Sequence, residues 1–195
     1  MPPLPREPNL FPAELLADET APAGGERSER SWWVLHTKPR QEKSLARQML
    51  RAEVPFYLPL VPRRSLVRGR VLEAHVPLFA GYLFLLADRD ERVTALATQR
   101  VVRSLAVADQ PQLHHDLWQV HRLIAAGAPV TPEERLAPGD AVEVRSGPLA
   151  GLRGRIVRGA SGRRFVVRVD FLQQGASVLL DDFNLVAVEA AEQTA

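Results

Sequence analysis

An α+β fold is predicted: an N-terminal antiparallel α/β sandwich followed by a C-terminal five-stranded β-barrel. Three observations predict it. Between residues 31 and 126, strand-like and helix-like stretches alternate, and several of the links are too short for parallel crossovers. From residue 138 to residue 190 the helical periods stop, and five short strands follow one another between Gly, Asp and Asn signals. Between them, residues 127–137 (G-A-P-V-T-P-E-E-R-L-A) are polar, carry two prolines and show no apolar period, so they read as an interdomain linker.

The elements follow in order. Residues 1–30 hold Pro2, Pro3, Pro5, Pro8, Pro12 and Pro22 with Gly24-Gly25 and scattered charge, a composition that buries too little to offset ordering entropy. They are expected to be a disordered tail, in which Phe11, Leu15 and Leu16 could form a short docking helix. Trp32–Thr37 reads as the first strand, and Lys38-Pro39-Arg40 turns the chain. A helix is predicted over Gln41–Arg51, with Leu45, Met49 and Ala52 on one stripe and Lys43, Arg47 and Arg51 on another. Pro55 ends it, and Phe56-Tyr57-Leu58 is extended. Arg63–Val67 and Val71–Val76 read as a hairpin with a basic tip at Gly69. Tyr82–Leu86 is a strand, Asp88 to about Ala97 a short helix, Val101–Val107 a strand, and Pro111 opens a last helix bearing Leu113, Leu117, Val120, Leu123 and Ile124 on one face. The barrel strands are Ala141–Val144, Leu152–Val157, Phe165–Val169, Ser177–Leu180 and Leu185–Val188, with a short tail at 191–195.

The 195 residues are 46% hydrophobic and 25% charged, ordinary for a soluble globular chain. There is no cysteine, which excludes disulfides and thiolate metal sites and suits a reducing cytoplasm. No apolar run reaches the roughly 18 residues of a membrane span, and the N-terminus lacks the apolar core of a signal peptide. The formal charge is +2, but it is unevenly spread: net −3 over residues 1–30, +6 over 31–127 and −1 over 128–195. The middle segment is the one suited to nucleic acid, although a solvated basic surface would look the same.

The stretch V-P-L-F-A-G-Y-L-F at Val76–Phe84 is the most informative. Phe79, Tyr82 and Phe84 are three of the nine Phe and Tyr residues in the chain. Alternation sends Tyr82 and Phe84 to one face and Leu83 and Leu85 to the other. If a helix covers the aliphatic face, the aromatic face is either a second buried layer or a surface that a partner covers.

Two motif sets stand in order. The first is Trp32-Trp33-Val34-Leu35 with Lys38-Pro39-Arg40 and then Pro77–Phe84; the second is Pro138–Val144 (P-G-D-A-V-E-V) followed by Gly147–Gly154 (G-P-L-A-G-L-R-G). Together they resemble the NusG family of transcription elongation factors, over about Ser31–Glu189. The first resembles its N-terminal NGN domain and the second its SH3-like KOW barrel. The resemblance implies that Trp33, Phe79, Tyr82 and Phe84 grip the clamp helices of RNA polymerase. It implies contacts to non-template DNA from Lys38, Arg40, Lys43 and Arg47 beside the first helix, and from Thr98, Gln99 and Arg100 on a second segment. Arginine suits phosphate and, when bidentate, guanine. Glu91-Arg92-Val93 stands where RfaH-type members carry a short polar motif, and Ala80 stands where many relatives have proline. The style of Trp32–Arg47 and the compact hairpin lean toward RfaH-like specialised antiterminators. In the family the KOW barrel meets a ribosomal protein or the termination factor Rho; Phe165, Phe171 and Leu172 are candidate contacts here, with core the favoured reading of Phe165. The implied protein is monomeric and cytoplasmic, with no membrane partner.

Enzyme readings find no site. His114-His115 and His121 lie on a helix with neighbouring rings pointing apart and no carboxylate pair at ligand spacing. Asp181-Asp182 reads as a turn, and Ser161 as a hairpin tip lacking the second glycine of a nucleophile elbow. G-P-L-A-G lacks the Lys-Ser/Thr ending of a nucleotide loop. No catalytic residue, metal or cofactor is expected. A ribosome-associated or free RNA-binding KOW protein is the alternative of a different class.

Overall fold

The computed structural model describes residues 7–20, 30–67, 69–127, 129–135, 139–159, 162–179 and 185–187. The ends of the predicted N-terminal tail at 1–6 and 21–29, the linker residues Leu136 and Ala137, Pro138, Ser161, Leu180, Asp181, Asp182, Val188 and the 191–195 tail lie outside these residues. The chain divides into two units, Met1–His115 and Asp116–Ala195. The division falls inside a helix, ahead of the boundary read from the sequence at 126.

In the first unit a five-stranded sheet has the order β1-β3-β6-β2-β7. Its strands are β1 (Leu10–Phe11), β2 (Ser31–Thr37), β3 (Phe56–Tyr57), β6 (Tyr82–Ala87) and β7 (Val101–Ala106), and every pairing is antiparallel. Helix α1 (Glu42–Arg51) buries Leu45 and Met49 of the predicted stripe, together with Ala46, against Leu35, Leu83 and Leu85 of the sheet; Ala52, the third residue of that stripe, lies past the helix end and is exposed. Helix α2 (Arg89–Ala97) starts at a capping box: Asp88 accepts from the backbone N–H of Asp90 and Glu91, and the Glu91 side chain accepts from Asp88 N–H. Arg30 donates to the same Glu91 carboxylate from Nε at 2.8 Å and from a second nitrogen. Glu42 is buried, and its Oε1 accepts from Gly81 N–H at 2.7 Å, which ties α1 to the turn before β6. Gly81 has φ +83°, a left-handed conformation that a side chain would strain.

Residues 7–20 correct the reading of residues 1–30 as a disordered tail. Strand β1 adds to the sheet edge in the register Leu10↔Tyr57 and Phe11↔Phe56, and Leu58 N–H donates to Asn9 O at 2.7 Å. Phe11 packs against the sheet–helix core, and Leu15 and Leu16 are buried. Leu15 and Leu16 dock from a turn closed by Leu15 N–H to Pro12 O rather than from a helix. The apolar residues within L-F-P-A-E-L-L outweigh the prolines and charges around them.

The hairpin is longer than its sequence signal: β4 (Leu60–Val67) and β5 (Arg70–Pro77) pair from Leu60↔Pro77 to Val67↔Arg70 and form a two-stranded sheet of their own.

Helix α3 (Gln110–Ala125) buries Leu113, Leu117, Val120 and Leu123 of the predicted face and leaves Ile124 half-buried. In the second unit, β9 (Asp140–Val144), β10 (Arg153–Gly159), β11 (Gly162–Val169), β12 (Gln174–Leu179) and β13 (Leu185–Ala187) are the five predicted strands. A sixth, β8 (Thr131–Glu133), pairs with β12, so the predicted linker contributes a strand to this sheet. The sheet order is β13-β9-β10-β11-β12-β8, antiparallel throughout. Its core includes Val144, Leu152, Phe165, Val167 and Val178. At Gly154 a Cβ would stand 2.4 Å from Val166 O and 2.8 Å from the Phe165 ring, so only glycine lets the strands approach there. Three α3 side chains close on this sheet: Asp116 Oδ2 accepts from Asp170 N–H at 2.9 Å, Gln119 Oε1 accepts from Arg153 N–H at 2.8 Å, and Arg122 donates to Ala150 O at 3.0 Å.

Candidate functional site

The register of β2 against β6 decides which aromatic side chains share a face. Val34 stands opposite Phe84, His36 opposite Tyr82, and Trp33 opposite Leu85. Residues directly opposite one another point to the same side of a sheet. Trp32, Val34, His36, Tyr82 and Phe84 therefore share the face away from α1 and α2, joined by Tyr57, which pairs with Phe84. Trp33 lies on the other side, against the α1–α2 core, with the Arg92 guanidinium 4.0 Å over its ring. The four residues expected to act together are thus divided: Phe79, Tyr82 and Phe84 are gathered, and Trp33 is not. Trp32 takes the place expected of Trp33.

Much of this aromatic face is covered by the chain itself. Trp32, Val34, Tyr57, Phe79 and Phe84 are buried, with Phe79 edge-on to Phe84 at 6.2 Å. Burial pushes the Tyr57 hydroxyl pKa up. His114 of α3 lies 5.9 Å from Trp32, and its Nε2 is 3.1 Å from Asp18 O in the docked N-terminal segment. The partly exposed part is a row across three strands: Tyr82 and His36, with rings stacked at 5.3 Å, and Arg103, in register with His36. His36 and Arg103 had no motif to mark them; only the register brings them beside Tyr82.

His114 carries a pH signature. Desolvation lowers its pKa, outweighing the hydrogen bond to Asp18 O and reinforced by the neighbouring His115. With Nε2–H donating to Asp18 O, a second proton would go to Nδ1, which is buried and has no hydrogen-bond partner among the described residues. His115 meets Glu19 at 3.2 Å on the same segment. A histidine whose folded pKa is depressed contributes stability that is complete above its unfolded value of 6.5 and is lost as pH falls below it toward the folded pKa. Thermal unfolding of the first unit is therefore expected at lower temperature at acidic pH than at neutral pH, and His114→Gln is expected to flatten that dependence. An unchanged pH profile in the variant would contradict it.

The basic residues form a second surface. Lys38 N–H donates to Arg100 O at 2.8 Å, and Arg100 Nε donates to Ser44 of α1 at 2.8 Å. The two expected nucleic-acid segments, Lys38–Lys43 and Thr98–Arg100, are thereby adjacent. Arg40 and Gln99 both hold left-handed backbone, at φ 61° and 58°, and both are exposed; non-glycine residues held this way concentrate at functional sites. Arg100 also donates to Thr98 O at 2.9 Å, and Thr98 Oγ1 donates to Ala95 O, so these two shape the loop. Arg47 is exposed and paired with Glu7 at 2.7 Å.

In the second unit Phe165 is fully buried, which removes it as a partner contact. Phe171, 36% exposed, and the half-buried Leu172 sit on a single 3-10 turn, Asp170–Leu172, ended by Gln173 in left-handed backbone at φ 52°. Among the described residues no group of three His, Asp or Glu is placed to hold a metal, and no helix is long and apolar enough to cross a membrane.

Comparison with known proteins finds one family model that matches part of the chain. Residues 30–117 match the family model described as NusG, transcription termination factor nusG. No curated protein matches the chain. A solved structure described as "Domain interaction in Thermotoga maritima NusG" is similar at 17% identity, with a TM-score of 0.43, over 77% of this chain and 93% of that one.

Proposed function

We propose that this chain is a NusG-type transcription elongation factor and not an enzyme. Its first unit binds the clamp helices of RNA polymerase and keeps the enzyme elongating through pause and termination signals, in the manner of a specialised antiterminator. The row Tyr82–His36–Arg103 makes first contact, with Phe79 and Phe84 as the buried support behind it. Lys38, Arg40, Lys43 and Gln99 meet non-template DNA, and the second unit recruits a further protein, Rho or a ribosomal protein, through Phe171 and Leu172. The observation that carries this reading is the coincidence of the family match with residues 30–117, which contain both the aromatic sheet face and the joined basic segments.

Binding of the full chain to elongation complexes tests it. Tyr82→Ala is expected to weaken binding roughly tenfold, about 1.4 kcal/mol. Lys38→Glu with Lys43→Glu is expected to weaken it and to flatten its salt dependence. Parent-like binding by the Tyr82 variant would end the assignment of this face.

One observation favours a second reading, a free RNA-binding protein. Arg158 and Arg163 stand directly opposite each other in β10 and β11, exposed, a like-charge pairing that an anion would relieve. RNA binding that survives Tyr82→Ala and fails in Arg158→Glu would select it.

A further inference from the structure

The β4–β5 hairpin forms a sheet of its own, separate from the five-stranded sheet that carries the aromatic face. Its base is anchored: Leu60 and Val61 are buried, and Leu78 N–H donates to Pro59 O at 2.8 Å. Beyond that it is a two-stranded ribbon that, among the described residues, pairs with no other strand. Eight residues per strand give it a reach of about 26 Å at roughly 3.3 Å per residue. Such a ribbon is marginal in water on its own.

Its surface is unusual for a solvated arm. Leu66 and Val71 stand directly opposite each other near the tip and are 74% and 68% exposed, and Leu72 beside them is 50% exposed. Arg63 and Arg64 are exposed on the same ribbon, and Glu73, paired with Arg64 at 3.2 Å, is the one acidic residue in segment 60–77 against four arginines, a net charge of +3. Apolar side chains at the end of a cationic ribbon match the way minor-groove arms work. The cations hold the two phosphate backbones while an apolar pair enters the groove, and a two-stranded ribbon also fits the major groove.

We propose that the β4–β5 hairpin is a duplex-binding arm, with Arg63 and Arg64 on the phosphate backbones and the Leu66–Val71 pair inside a groove. Its ligand is double-stranded nucleic acid, as distinct from the exposed single strand assigned to the Lys38–Lys43 surface. The inference does not depend on polymerase binding.

Fluorescence anisotropy of the full chain with a labelled DNA duplex of about two helical turns, in the absence of polymerase, tests it. Arg63→Glu with Arg64→Glu is expected to weaken binding at least tenfold and to lower the salt slope by about two. Leu66→Ser with Val71→Ser is expected to weaken binding with the slope unchanged. All four side chains are exposed, so both variants are expected to melt as the parent does. Duplex binding by either double variant that matches the parent overturns the proposal. So does loss of polymerase binding with duplex binding intact, which would give the arm to a protein partner.

Discussion

Removal of residues 1–20 is expected to lower the unfolding free energy of the first unit by about 4 kcal/mol. Leu15 and Leu16 are buried at 7% and 2% exposure, and Phe11 packs on the sheet–helix core. Burying a leucine side chain contributes about 1.5–3 kcal/mol, so these two alone supply the effect. The deletion also exposes the outer edge of β3 and takes Glu7 from Arg47, freeing that guanidinium. The same truncation is therefore expected to tighten binding to single-stranded DNA while it destabilises the fold. Urea unfolding followed by Trp32 and Trp33 fluorescence, in a Trp118→Phe background, checks the first effect, and a DNA titration checks the second. An unchanged midpoint would show that the segment rests on the sheet without contributing to it.

Phe84→Ala is expected to cost about 3–5 kcal/mol of stability, the range for emptying a buried aromatic site. Phe84 has no exposure, pairs with both Val34 and Tyr57, and meets Phe79 edge-on. Its neighbour on the same face, Tyr82, is only half-buried, so Tyr82→Ala is expected to leave the unfolding midpoint nearly unchanged. The pair separates folding from recognition: loss of partner binding in Phe84→Ala is explained by unfolding, and loss in Tyr82→Ala is not. Equal midpoints for the two variants, by the same urea unfolding, would contradict the burial seen here.

The helices were legible because their apolar residues recur at the right period, Leu45 and Met49 for α1 and Leu113 to Leu123 for α3, and strand Tyr82–Leu86 because it is a short, unbroken apolar run of β-formers after Gly81. The identity of the tryptophan on the aromatic face was not. Adjacent residues in a strand point to opposite sides, and which of Trp32 and Trp33 joins Phe84 depends on a register that pairs Val34 with Phe84. One residue of slip exchanges them. The docked N-terminal segment was hidden for a different reason. Composition averaged over thirty residues reports the prolines and charges, whereas docking depends on a few side chains, and a strand of two residues has no period to detect. Strand β8 was missed likewise: T-P-E carries no apolar signal, and its place comes from Ser177 Oγ, within hydrogen-bond distance of Glu133 and Arg164, together with backbone pairing to β12. On the basic surface the residue types were readable, but not that Arg100 bonds to Ser44 and Thr98 and so joins the two segments.

The seam within α3 bears on how this chain can be cut. A fragment ending at residue 126 keeps Asp116 and Gln119, both buried here, yet loses the Asp170 and Arg153 amides they accept from. The complementary fragment keeps those amides and loses their acceptors. Each piece then carries polar groups shaped for an absent counterpart, at about 1–3 kcal/mol for each one left buried. Such fragments are poor stand-ins for the intact chain, in which point variants leave these bonds in place.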